Sequence, residues 1–231
     1  MVALTTEELT KTLGAADAYA LISTAFTYPG SELAEALADG TFLSDLDGSL
    51  QDMGIDETSL VQLRNSLSKA LDGKSAEELL ETMRPEYTEL YYGPGKFRKM
   101  FPYESAFKKL QINPNGRATI FMTKSTHDVE RSMKRKGAMP SDARREPADF
   151  FATELDFVRH LLTGYAAASL EDADADTWKT DLETFFENHV SSWIPALLSK
   201  TKEVTNLDLY QALAECGLLV IESTRKDILS R

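Results

Sequence analysis

The residues of this 231-residue chain that could do chemistry are few and scattered. Its three histidines, His127, His160 and His189, stand apart, and none has glutamate three residues before it. The Glu-x-x-His pairs that build di-iron sites in helical bundles are therefore absent. There is no His-Glu-x-x-His pair for zinc and no Gly-x-Ser-x-Gly nucleophile turn, and the single cysteine, Cys216, builds no thiolate site. A lone helical histidine is ordinarily a packed side chain, so the reading is no metal, no cofactor and no catalytic residue. Asp172, Asp174, Asp176 and Glu183 have the spacing of a calcium loop, but Thr177 stands where glycine makes the sharp turn and Lys179 where an apolar residue belongs. An acidic loop favouring the N-terminus of the next helix is the simpler account. Gly93-Pro94-Gly95 lacks the Lys-Ser/Thr of a phosphate loop, and its proline removes an amide donor, so it reads as a helix stop.

Two segments remain. In Tyr87-Thr88-Glu89-Leu90-Tyr91-Tyr92, the residues Tyr87, Leu90 and Tyr91 fall at i, i+3 and i+4, on one helical face. The stripe is either core or the wall of a groove, and tyrosine tips favour a wet edge. In Glu146-Pro147-Ala148-Asp149-Phe150-Phe151, two carboxylates lie beside a helix start, where exposed amides and the dipole stabilise them. Either both cap the helix, or one stays outward to meet an arginine in a strong bidentate bond. On the outward reading, Asp149→Ala weakens peptide binding without unfolding the chain, and Phe150→His is tolerated. Aromatic groups and a carboxylate beside a helix end suit gripping a peptide better than breaking a bond.

The elements that must position these segments are helical almost throughout. Thr5-Thr6-Glu7-Glu8 starts a helix that Tyr28-Pro29-Gly30 stops; Ser31 to Asp39, Asp56 to Leu71, and a capping box at Ser75 running to about Tyr92 follow. Pro85 is expected to kink or split the last of these. The rhythm lapses from Gly93 to about Ile120, with a turn at Asn113-Pro114-Asn115-Gly116. Phe121 to Gly137 resumes it; Pro147, suited to a first turn, opens a helix to about Ser169. Thr177 to Lys200, broken near Trp193 by Pro195, and Leu207 to Leu229 complete the chain. No alternation suggests a strand. The expectation is an all-α bundle of about ten helices in two linked parts, residues 1–112 and 121–231, joined by a hinge at 113–120 and packed as one compact unit.

A hydrophobic content of 42% with 27% charged residues fits a soluble globular domain and argues against disorder. No apolar run approaches the roughly 20 residues of a membrane span, and the polar, acidic N-terminus is no secretory signal. With one cysteine and no possible internal disulfide, the cytoplasm is the expected compartment. The net charge of −12 is uneven: 94–145 carries 13 Lys and Arg against 4 Asp and Glu, so the remainder carries −21. An acidic body attracts cationic partners, while the overall acidity argues against nucleic acid. The basic cluster Arg131, Lys134, Arg135 and Lys136 reads as a helix C-terminus complementing its dipole. An alternative from the enzyme class is a nucleotide-binding or small helical enzyme using this basic central stretch with Glu146 and Asp149.

Tyr87-Thr-Glu-Leu-Tyr91, then Gly93-Pro94-Gly95 with Pro102-Tyr103-Glu104-Ser105, and finally Glu146-Pro147-Ala148-Asp149 with Leu155-Asp156-Phe157, resemble in order and separation the motifs of the TorD/DmsD/NarJ family of redox-enzyme maturation chaperones. The resemblance implies a TorD-like all-α fold and a cytoplasmic binding protein without turnover. Its partner would be a molybdopterin oxidoreductase subunit or its twin-arginine leader peptide, held until the cofactor is inserted. Homodimers by helix exchange at the hinge are compatible with it. By resemblance the client-binding residues are Tyr87, Leu90, Tyr91, Tyr103, Glu104, Glu146, Pro147, Asp149 and Phe150. Phe150 stands where the family has histidine, so a role needing a protonatable ring there, including the guanine-nucleotide binding suggested for some relatives, is not carried over.

Overall fold

Local capping fixes where several helices begin. Helix α1 (Thr6–Ala25) starts at a capping box in which Thr5 accepts from the Glu8 amide and the Glu8 carboxylate accepts from the Thr5 amide at 2.8 Å. The same reciprocal pair, Ser75 and Glu78, opens α5 (Ala76–Tyr87). Asp56 caps α4 (Glu57–Leu71) and Asp174 caps α9 (Ala175–Phe185). The others are α2 (Ser31–Ala38), α3 (Thr41–Asp52), α6 (Glu104–Ile112), α7 (Lys124–Arg135), α8 (Phe151–Leu170), α10 (Ile194–Val204) and α11 (Asp208–Thr224). The computed structural model describes residues 4–94, 98–120, 122–138, 146–171 and 173–230. Among these residues the chain is all-helical, with eleven α-helices and no strand. Gly95, Phe121 and Asp172, which the sequence reading used, lie outside them.

Several boundaries differ from the sequence expectation. Helices α3 and α6 were not foreseen. Helix α8 begins at Phe151 rather than at Pro147, which instead sits in a turn closed by the Phe150 amide on the Pro147 carbonyl at 2.9 Å. Pro85 lies inside α5 without ending it. Instead the helix widens afterwards into a π-turn at Thr88–Tyr92, and further π-turns follow α9 at Phe186–Val190 and α11 at Arg225–Leu229. The break near Trp193 is where expected, with Pro195 in the first turn of α10.

Helix α1 is the axis of the packing, seated against α3, α8 and α11, while α4 and α10 both pack on α11 and α9 packs on α8. Elements from both ends of the chain therefore share one hydrophobic core. Close approach is possible because glycines stand at the contacts: a Cβ at Gly14 would lie 2.8 Å from the Ser49 carbonyl oxygen of α3, and one at Gly164 of α8 would meet the Trp178 ring at 2.2 Å. Among the described residues no helix is long and apolar enough to cross a membrane.

Candidate functional site

The two motif segments, far apart in sequence, clasp each other. Tyr103 and Phe150 form an isolated antiparallel bridge. The Glu104 amide donates to the Asp149 carbonyl at 2.9 Å and the Phe151 amide to the Pro102 carbonyl at 3.0 Å. The Tyr103 and Phe150 rings lie 5.7 Å apart, and the Tyr103 hydroxyl donates to Glu146 at 2.6 Å. Burial, reinforced by the Glu146 charge, raises the Tyr103 hydroxyl well above an ordinary phenol.

Asp149 is at the centre of this clasp and fully buried. One carboxylate oxygen accepts from the Ser105 amide at 3.2 Å and the Ser105 hydroxyl at 2.6 Å; the other accepts from Thr126 at 2.9 Å. Ser105 is in the first turn of α6, so Asp149 caps α6, and not the helix that follows it in sequence. The expectation of an outward Asp149 is corrected accordingly: a buried carboxylate needs partners, and these three donors engage both of its oxygens. Glu146 is the outward carboxylate of the pair, and Pro147 is half-buried beside it. Phe150 is only 5% exposed and packs edge-on against Phe151 at 5.2 Å, so it belongs to the core rather than to a free surface.

The aromatic stripe also points inward. Tyr87, Leu90 and Tyr91 are all buried. The Tyr87 hydroxyl donates to the Phe26 carbonyl at 3.2 Å, and the Tyr91 hydroxyl pairs with Thr201 at 2.7 Å. Tyr91, Phe26 and Phe151 form a ring cluster with centroids 5.2 to 6.4 Å apart, each such pair contributing about 0.5–1.5 kcal/mol beyond its buried area. Tyr92, which the sequence reading passed over, is the exposed member at 59%.

These buried residues support a groove. Where the π-turn leaves carbonyls without helical partners, the returning chain supplies them: the Lys99 amide donates to Glu89 at 2.9 Å and the Met100 amide to Leu90 at 3.0 Å. Arg98 donates to the Gly93 carbonyl at 3.0 Å and lies 4.6 Å over the Phe101 ring. Phe101 is thereby presented to an open cavity of about 590 Å³, lined by Met100, Phe101, Phe107 and Leu110 with Ala196 of α10, and by Arg98, Lys200 and Glu203 among its charged residues. Sequence reading missed this groove because its apolar residues come from a loop, a helix it did not foresee, and α10.

On the other side of the same helix, Glu104 and Lys108 face a charged cavity of about 530 Å³ between α6, α7 and the end of α9. Glu104 is buried, meeting Lys108 at 2.6 Å and His189 Nδ1 at 2.8 Å. Burial alone would raise its carboxyl, but His189 and Lys108 outweigh that and hold it below the ordinary range. The basic cluster of α7 is largely taken up by acids: Arg131 meets Asp128 at 2.6 Å, and Arg135 and Lys136 converge on Asp181 at 2.9 and 2.7 Å. In the acidic loop, Asp174 is engaged by Thr177 as a helix cap.

Comparison with known proteins supplies the context for this geometry. Residues 56–199 match the family described as "Nitrate reductase delta subunit", a span that includes both clasped segments and most of the lining of both cavities. The chain belongs to the nitrate reductase delta subunit family. This is the TorD/NarJ family of redox-enzyme maturation chaperones, which bind and do not turn over a substrate. A curated relative, "Chaperone protein TorD" of Vibrio parahaemolyticus serotype O3:K6, is 24% identical over 153 residues. That match covers 66% of this chain and 66% of the relative, so the chain spans just under two thirds of the relative's length.

Proposed function

We propose that this chain is a cytoplasmic chaperone that grips a molybdopterin oxidoreductase subunit, or its twin-arginine leader, through the apolar groove beside α6, delaying export until the cofactor is in place. The observation carrying this reading is the groove itself, an open, largely apolar trough whose walls, residues 98–101 and α6, flank the Pro102–Ser105 motif. Half-exposed Phe101, Phe107 and Leu110 offer the alternate apolar contacts that a helix-in-groove or extended-peptide mode uses. Glu203 at the groove, which pairs with Lys200 at 3.1 Å until a guanidinium replaces it, and outward Glu146 are carboxylates for arginines to meet, and the −21 carried outside 94–145 would draw a cationic leader in. On this reading Tyr87, Leu90, Tyr91, Tyr103, Asp149 and Phe150 act from behind, setting the groove's shape, while Glu104 closes the far side of α6.

The test is capture from native cytoplasm under anaerobic conditions, followed by titration of the recovered client's leader peptide by fluorescence anisotropy. Recovery of a molybdenum oxidoreductase subunit is expected, with at least about tenfold weaker peptide binding in Phe101→Asp, the cost of desolvating a charge in an apolar contact. Equal affinity in Phe101→Asp and the parent chain would remove the groove from the mechanism.

A further inference from the structure

The charged cavity opens onto a largely buried set of side chains away from the apolar groove. Glu104 of α6, Glu154 of α8 and His189 of the π-turn after α9 bring two carboxylates and an imidazole together, with one potential ligand atom from each lying within 4.8 Å of the others. Glu154 is 0% exposed, and one of its oxygens, Oε1, has no hydrogen-bond partner; the other accepts from Trp193 Nε1 at 2.8 Å. A buried carboxylate oxygen left bare is costly, and the group that carries it belongs to one cluster with a second carboxylate and an imidazole. We propose that Glu104, Glu154 and His189 form a binding site for a borderline divalent cation of the zinc class.

The donor set fits that class. One imidazole and two carboxylates favour Zn2+ over Mg2+ or Ca2+, which take all-oxygen shells, and three protein ligands match an open zinc site. The three ligand atoms lie within 4.8 Å of one another, and Glu104 Oε2 and His189 Nδ1 are already 2.8 Å apart, so a cation with bonds of about 2.0–2.2 Å replaces the hydrogen bond between them. Lys108, which now holds Glu104, has other acceptors ready when a cation replaces it: Ser192 Oγ at 2.7 Å and the Asn188 carbonyl at 3.4 Å. The Trp193 bond fixes Glu154 from behind, as outer partners do in metal sites. Entry is provided by the open cavity of about 530 Å³, which both Glu104 and His189 line. Sequence spacing conceals the set, because its members come from positions 104, 154 and 189 on three separate elements.

The experiment titrates Zn2+ into the chelator-stripped 231-residue chain, reading heat and tryptophan emission, with Glu154→Gln, His189→Gln and His127→Ala alongside. Glu154→Gln keeps an acceptor for Trp193, and His127→Ala removes an exposed histidine outside the set. Expected are one Zn2+ per chain, at least tenfold weaker binding in Glu154→Gln and His189→Gln, unchanged binding in His127→Ala, and a higher melting temperature for the loaded parent. X-ray absorption of the loaded parent chain, which depends on no variant, should show a single imidazole among oxygen ligands. No stoichiometric binding, binding undiminished in Glu154→Gln, or a shell without one imidazole would overturn the assignment.

Discussion

Asp149 illustrates how burial decides what a charged residue does. Its three donors have unequal alternatives when it is removed: Ser105 Oγ also reaches the Thr119 carbonyl at 3.1 Å and Thr126 Oγ1 also pairs with Thr123 at 2.7 Å, whereas the Ser105 amide, at the start of α6, donates to Asp149. Asp149→Ala is therefore expected to lower stability by about 2–3 kcal/mol in urea unfolding, with peptide affinity of the folded fraction falling less than in Phe101→Asp. Phe150→His places an imidazole between the rings of Tyr103 and Phe151 and should cost about 1–2 kcal/mol by the same measurement. Cys216 makes a third case. It is fully buried in α11, and burial pushes its thiol up to about 12. Alkylating reagents at pH 8 should leave it unmodified in the folded chain and label it only at the rate of global opening; fast labelling would contradict the packing around α11.

At the scale of elements, the helices that announce themselves are those with their start signals in their own sequence. Thr5 with Glu8, Asp56 and Ser75 with Glu78 each cap locally, and each was legible. Helix α6 was not, because Pro102 precedes it, Asn113-Pro114 follows it, and the carboxylate that caps it belongs to position 149. Helix α3 hides for a different reason: Gly48 and three aspartates give it weak propensity, and its place is secured by α1 lying on it. The helical character, and the sharing of one face by Tyr87, Leu90 and Tyr91, were readable from spacing, but whether that face was core or groove wall was not. The groove and the buried Glu104–Glu154–His189 set were not, since no periodicity relates residues on different elements. The contact of α1 with α3 gives a sharp test. Gly14→Ala drives a methyl group to 2.8 Å from the Ser49 carbonyl oxygen and 3.0 Å from the Met53 amide, backbone atoms that cannot swing aside. A loss of about 1–3 kcal/mol is expected, read as a lower melting temperature; an unchanged transition would mean the two helices are farther apart.

Across the whole molecule, long-range polar ties run between the same regions that share the core. Buried Glu86 of α5 accepts from Thr205 Oγ1 and the Asn206 amide, each at 2.8 Å, holding the turn into α11. Tyr91 reaches Thr201, and α1 lies on α8 and α11. We propose that the parts 1–112 and 121–231 unfold together. Tryptophan emission, which arises only from Trp178 and Trp193, should then lose its native signal at the same temperature as far-ultraviolet circular dichroism; two separated midpoints would show independent domains. The seating of α1 on α8 and α11 also bears on how the chain comes off the ribosome. At about 5–20 residues per second, the first helix emerges well before either of its later partners has been translated. Its buried face, with Tyr19 and Ile22, therefore waits uncovered through most of synthesis. A protein whose family serves to shield unfinished enzymes thus passes through an unfinished state of its own.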